Sequence, residues 1–272
     1  MPELPEVETT LSGIKPFILH QKIVDMEIRH FQLRWPVPKN LKKVLTGQII
    51  EKVERRGKYL LLKVAEGTLL IHLGMSGSLR IVPINTPAKK HDHIDIIFAN
   101  QHCLRFTDPR RFGAVLFTTS EPAEHELISH LGPEPLTPDF SARYLWDLAR
   151  GRKAAVKTFI MDGQTVVGVG NIYAAEALFM AGIHPNKPAG KVSLASYEKL
   201  EIAIRKVLGA AIKQGGTTLK DFVNSDGKKG YFKVHLQVYG RSGEKCLTCG
   251  TTLKGLRLDQ RSTVYCPICQ RR

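Results

Sequence analysis

Residues 58–82 read "KYLLLKVAEGTLLIHLGMSGSLRIV". Short apolar runs end on Ala-Glu-Gly and on Gly-Met-Ser-Gly, a pattern of strands separated by turns rather than of one long helix. The same texture extends outward from Lys22 to about Phe117, with "HIDIIF" and "AVLF" as further strands. Several short strands in succession, preceded by one helix, predict a β-sandwich.

Past this region the period changes. Pro122, Pro133, Pro135 and Pro138 interrupt the pattern between Ser120 and Asp139, with "AEHELISHL" among them as a candidate short helix. "SARYLWDLARG", "AAVKTFIMDG", "IYAAEALFMAGI" and "SLASYEKLEIAIRKVLGAAIKQGG" then carry apolar residues at helical spacing, the last ending on a glycine pair. The expected organisation is a β-rich domain over 1–120, a linker over 121–139, a helical domain over 140–236 and a small basic, cysteine-rich tail over 237–272. The fold class is therefore α+β.

Charge narrows the partners. Forty Lys and Arg against 25 Asp and Glu give a formal net charge of +15 and a pI near 9.7, which points to a polyanion, nucleic acid ahead of a membrane. No apolar run approaches the ~18 residues a membrane span needs, and the amino terminus is acidic where a secretory signal would be basic. A cytoplasmic protein is expected.

Five cysteines are an odd number for a disulfide framework, and four are grouped as Cys246-x2-Cys249-x16-Cys266-x2-Cys269. Two such knuckles can close a tetrahedral zinc site across a β-hairpin, and four thiolates leave no open position, so one structural zinc ion is expected. Cys103, in "QHCLRF", reads as a packed strand residue.

The first ten residues, "MPELPEVETT", allow two readings. Pro2 is a good helix-starting residue with acids suited to the first turn. Once Met1 is removed it is also a secondary amine beside a carboxylate, Glu3. Three further places carry chemistry. Gly163, Gly168 and Gly170 precede a helix, either to admit a phosphate or to make a tight turn. Lys58 follows a glycine at the mouth of a strand. "TDPRRFG" (107–113) sets two arginines and a phenylalanine at a turn, which suits phosphate and base contacts.

Together these stretches resemble the bacterial formamidopyrimidine-DNA glycosylases, bifunctional enzymes that excise oxidised purines. The likeness rests on "MPELPEVET", "RRGKYLL", "HLGMSGSL", "DPRRFG", "VVGVGNIYA", "QGGTTLKDF", "DGKKGYF" and "DQRSTVYCPICQ", which run in order along the whole chain. The related endonuclease VIII branch typically begins "PEGPE", and Leu4 favours the purine-lesion branch.

The resemblance implies a catalytic β-sandwich with an amino-terminal helix, a helix-two-turn-helix domain and a zinc-bound hairpin, with damaged duplex DNA crossing the cleft between two lobes. It makes the Pro2 amine the nucleophile and Glu3 the proton carrier. Lys58 would assist β-elimination and Arg261 δ-elimination, each also binding phosphate. His72 and Asn171 match phosphate contacts, and His91, Arg110 and Arg152 fall at or near DNA-binding positions. Met75, Arg110 and Phe112 match the side chains that fill the gap left by the extruded base, with Arg110 and Phe112 expected on one side of an extended segment. A monomer is expected. The family usually has proline where Lys229 stands and commonly glycine where Gln260 stands.

The chemistry agrees. A free α-amine, with a reference pKa of about 8 against about 10.4 for lysine, is far more often unprotonated at neutral pH, and a helix start depresses it further while Glu3 and Glu6 oppose that. Attack on the sugar C1′ expels the base, and the resulting iminium acidifies the C2′ proton for elimination. The competing readings are a glycosylase for oxidised pyrimidines and a zinc DNA-binding module without activity. The module would leave Pro2, Glu3 and Lys58 unemployed.

Overall fold

A computed structural model describes residues 2–215 and 236–271, so the matching stretch "DGKKGYF" as far as Phe232, most of "QGGTTLKDF", and Lys229 lie outside the described residues. The chain divides into two compact units. One runs to His130 and takes in Gln214 and Gly215, and the other comprises Leu131–Lys213 and residues 236–271. The division falls inside the proline-rich 121–139 segment.

The first unit opens with helix α1 (Leu4–Ile18), followed by β1 (Ile23–Ile28), the short α2 (Leu41–Leu45) and seven more strands: β2 (Lys52–Arg56), β3 (Tyr59–Val64), β4 (Gly67–His72), β5 (Ser78–Pro83), β6 (Asp92–Phe98), β7 (His102–Thr107) and β8 (Ala114–Thr118). They form two four-stranded antiparallel sheets, ordered β1-β6-β7-β5 and β2-β3-β4-β8. The apolar runs read from the sequence form strands of this core: Leu60, Leu62 and Val64 of β3 are buried between more exposed neighbours, whereas β6 is buried almost throughout, with Ile94, Ile96 and Phe98 in the core. They share one core with Val7, Leu11, Ile14 and Ile18 of α1, a stripe at helical spacing. Four buried aliphatics, at about 2 kcal/mol each, fasten the helix that carries Pro2 and Glu3 at its start.

The second unit contains α3 (Ala142–Ala149), α4 (Val156–Met161), α5 (Asn171–Met180) and α6 (Leu194–Lys213), then the hairpin β9 (Lys254–Leu258) and β10 (Arg261–Tyr265). Helix α5 is apolar nearly all round and buried from Ile172 to Leu178, as befits a central helix packed against α4, α6 and β10. Helix α6 gives way to Gly215 at φ 75°, a left-handed stop that glycine makes without strain.

The short helix expected in "AEHELISHL" is absent. Pro122–Glu124 makes one 3-10 turn and the chain continues in turns, with Ile128 the one buried side chain between Glu121 and His130. A helix there would have almost no apolar face to stabilise it.

Candidate active site and nucleic-acid interface

In the first unit, Pro2 is buried and Glu3 is the N-cap of α1. The Glu3 N–H donates to Glu6 Oε2 at 2.8 Å, the reciprocal half of a capping box, and both carboxylates are buried. A helix does start in this segment, but Pro2 precedes its N-cap and is not a helical residue; Pro5 is the proline of the first turn. Glu8 accepts from Arg55 Nε at 2.6 Å, tying α1 to β2.

Lys58 stands in the two-residue turn between Arg56 and Tyr59, where Gly57 takes φ 57°. His72, at the end of β4, pairs with Tyr59, and their rings lie 4.8 Å apart. Burial, with the charges of Lys58 and Arg34 nearby, pulls the His72 pKa down to about 4. Its Nδ1 accepts from the Gly74 N–H at 3.1 Å, so the neutral ring carries its proton on Nε2 as a donor. Cys103 is buried on β7, and burial pushes its thiol up to about 12, as suits a packing residue.

Met75 and Phe112 are 39% and 43% exposed, so neither belongs to the core. The Arg110 guanidinium lies 5.1 Å from the centre of the Phe112 ring. The expected extended segment is not what joins them: the chain turns at Asp108–Arg111, Arg111 is left-handed at φ 57°, and the stacking of cation on ring brings the two side chains together. His91 lines a basic cavity of about 700 Å³ with Arg29, His30, Lys89, Lys90 and Arg111.

In the second unit, Asn171 opens α5 and its side chain is held from two directions. Lys157 Nζ donates to Asn171 Oδ1 at 2.6 Å, and Asn171 Nδ2 donates to the Ser262 carbonyl at 3.2 Å. Lys157 also donates to Thr263 Oγ1 at 2.8 Å and is 1% exposed. This buried ammonium therefore joins α4, the start of α5 and the strand that begins with Arg261. Its one trace in the sequence is a lysine among apolar residues in "AAVKTFIM", too weak a signal to mark it. Arg261 is exposed and lines a cavity of about 260 Å³ with Lys157, Thr158 and Asp259. Arg152 is exposed after α3, its backbone bonded to Ala149 and Gly190. Gly168, in the turn before α5, has φ 82°, which favours the tight-turn reading of that glycine cluster.

The four cysteine sulfurs lie within 4.8 Å of one another. The Cys249 to Cys266 separation is 3.4 Å and the Cys246 to Cys269 separation 4.0 Å. A tetrahedron of Zn–S bonds near 2.3 Å has edges of about 3.8 Å, so the donor set fits one zinc ion. Two polar anchors bind this module to the helices. Glu176 of α5, buried, accepts from the backbone N–H groups of Gln237, Val238 and Tyr239 at 2.8, 3.0 and 2.8 Å, and Gln270 donates to the Ile183 carbonyl at 2.9 Å. Desolvation raises the Glu176 pKa while those three N–H groups hold it down.

Known proteins match this chain throughout. Three family models cover it: the formamidopyrimidine-DNA glycosylase N-terminal domain over residues 1–115, the formamidopyrimidine-DNA glycosylase H2TH domain over 131–223, and a zinc finger found in FPG and IleRS over 243–272. The chain is 58% identical over 271 residues to the formamidopyrimidine-DNA glycosylases of Methylococcus capsulatus and of Pseudomonas aeruginosa, covering 100% of both chains in each case. Among solved structures, a Lactococcus lactis FPG mutant with Fapy-dG-containing DNA matches at a TM-score of 0.93 and 34% identity, over 100% of both chains. A MutM structure with carbocyclic 8-oxo-G-containing DNA matches at 0.91 and 35%, again over 100% of both.

Proposed function

Because the chain belongs to the formamidopyrimidine-DNA glycosylase family, we propose that it removes oxidised purines from duplex DNA with the Pro2 amine and then cleaves the strand by β,δ-elimination. The observation that carries this reading is the capped helix start. The Glu3 to Glu6 bond and the buried stripe of α1 hold a secondary amine and a carboxylate side by side at the end of a rigid helix. Once Met1 is removed, the Pro2 nitrogen attacks C1′ and the damaged base leaves. Glu3 carries the proton, with the sugar-ring oxygen as a plausible target.

Lys58 and Arg261 assist the two eliminations and hold phosphate, one from each unit. His72 serves phosphate as a neutral Nε2–H donor, because its ring stays unprotonated at neutral pH. Asn171 offers its remaining N–H and the helix start, while His91, Arg110 and Arg152 add contacts along the duplex. Met75 and Phe112 fill and wedge the stack once the base is out, and Arg110 faces the orphaned partner base. Cys246, Cys249, Cys266 and Cys269 would hold one zinc ion, whose contribution would be to fix the hairpin. Residues 1–120 form the catalytic domain, 140–236 the helical DNA-binding domain and 237–272 the zinc finger, with 121–139 as linker. The curated relatives are bacterial, no helix among the described residues is long and apolar enough to cross a membrane, and the place of action is the cytoplasm.

Borohydride trapping on a duplex carrying 8-oxoguanine, followed by peptide mapping, tests the proposal. The adduct is expected on Pro2. A preparation that retains Met1, and Glu3→Gln, should bind the damaged duplex but lose excision. Full base release by the Met1-blocked protein would refute the assignment.

A further inference from the structure

Asp108 is 0% exposed, and no ion pair to it occurs among the described residues. Its carboxylate is held by hydrogen bonds instead. Oδ1 accepts from Ser76 Oγ at 2.9 Å and from the Arg110 N–H at 3.3 Å, and Oδ2 accepts from the Gly113 N–H at 2.8 Å. Its main chain is as fully engaged: the N–H donates to the His91 carbonyl, and the carbonyl accepts from the Arg111 N–H and from His93 Nε2 at 2.8 Å. Ser76 follows Met75, and Arg110 and Gly113 bracket Phe112. One side chain thus joins the two turns that carry the exposed Met75, Arg110 and Phe112.

The backbones of those turns also touch. Gly74 has φ 65°, and a Cβ there would lie 2.5 Å from the Gly113 nitrogen and from the Phe112 carbonyl carbon. A Cβ on Gly113 would meet the Phe106 ring at 2.6 Å and the His72 carbonyl oxygen at 2.7 Å. Flexible side chains therefore stand on a base that is locked from below. A carboxylate suits this place because it only accepts, and its two oxygens take three donors at once. An amide cannot replace it, since whichever way it lies its NH2 meets a backbone N–H, that of Gly113 or of Arg110.

We propose that Asp108 is a positioning residue that locks the Met75 turn to the Arg110–Phe112 turn, so that the three side chains enter the duplex as one preformed element. The inference rests on the reading of Met75, Arg110 and Phe112 as the side chains that replace the extruded base. Preforming the element removes the cost of ordering two separate loops at the moment of insertion. The carboxylate itself touches neither DNA nor the reacting atoms.

The test compares Asp108→Asn and Ser76→Ala with Met75→Ala and Phe112→Ala. Each is assayed on a duplex carrying 8-oxoguanine and on a single strand carrying an abasic site, where no gap needs filling. A 2-aminopurine beside the lesion reports unstacking, and thermal melting reports folding. Asp108→Asn is expected to slow duplex excision and the 2-aminopurine signal by roughly tenfold or more, with single-strand cleavage within about twofold of wild type. Ser76→Ala, which cuts only the tie to the Met75 turn, should show a smaller loss in the same two readouts and decides the matter if Asp108→Asn does not fold. Adding Met75→Ala to Asp108→Asn should cost less than it does alone. Unchanged duplex excision in Met75→Ala and Phe112→Ala would defeat the underlying reading. A loss in those two with none in Asp108→Asn or Ser76→Ala would defeat the lock alone, as would an equal loss on the single strand.

Discussion

Two hairpins, each closed by a two-residue turn, present the two cations assigned to elimination. The β2–β3 hairpin turns at Gly57 and Lys58, and the β9–β10 hairpin turns at Asp259 and Gln260, just before Arg261. Their supports differ. Behind Lys58, Leu60, Leu62 and Val64 are fully buried in a core shared by both sheets and α1. Behind Arg261, β9 has no buried residue and β10 buries only Thr263 and Val264, and the small cluster beneath them includes Cys246 and Cys266 among its buried members. One hairpin is fixed at its base by apolar burial, the other by a metal site with polar anchors. A short exposed ribbon cannot bury enough surface to fix itself.

The turns differ too. Gly57 takes the left-handed position of the first turn, whereas Asp259 and Gln260 do so in the second at φ 44° and 62°. A turn with both central residues left-handed favours glycine, so the departure noted at Gln260 falls where a side chain is strained.

Removing zinc should break the comparison most completely. Structural zinc contributes on the order of 10 kcal/mol to small modules. Chelation or Cys249→Ser should therefore abolish metal and tight DNA binding together, while the β-sandwich still melts cooperatively. Wild-type affinity in metal-free protein would show that the hairpin stands without its ion. The reciprocal change is Leu62→Ala, expected to lower stability of the first unit by about 3 kcal/mol through a core cavity, with zinc content unchanged by metal analysis.

The comparison sharpens at His72. Its folded pKa of about 4 lies below the ordinary 6.5, so between those values the unfolded chain takes up a proton that the folded one refuses. Stability should fall as pH drops through that window, by about 3 kcal/mol at most, and level off below it. His72→Gln should flatten that part of the curve in urea titrations run across pH. The smallest effect belongs to Gln260→Gly, which should relieve left-handed strain by about 1 kcal/mol or less. Slower zinc loss to a competing chelator would report it, and faster loss would mean that the side chain supports the turn.

Much of this was legible in one dimension, and the reason is local. Apolar runs broken by turn residues, helical stripes and Cys-x2-Cys knuckles each rest on neighbours along the chain, so the sandwich, the main helices and the metal site are legible in the sequence. Tertiary structure alone decided the rest. Lys157, Glu176 and Asp108 look in the sequence like ordinary charges, yet each is buried with donors or acceptors supplied from elsewhere in the fold. Nothing in "AAVKTFIM" says that its lysine meets residues 262 and 263, because that partner is set by packing. Arg110 and Phe112 do come together, but through a turn at a left-handed Arg111 and not through the extended segment their spacing suggests. The sequence by itself determined the β-rich and helical regions and the metal-ligand set, through periodicity and spacing. Which charges are buried, and what holds the exposed side chains in place, was decided by contacts between residues far apart in the chain, where the cost of an unpaired buried polar group selects the partner.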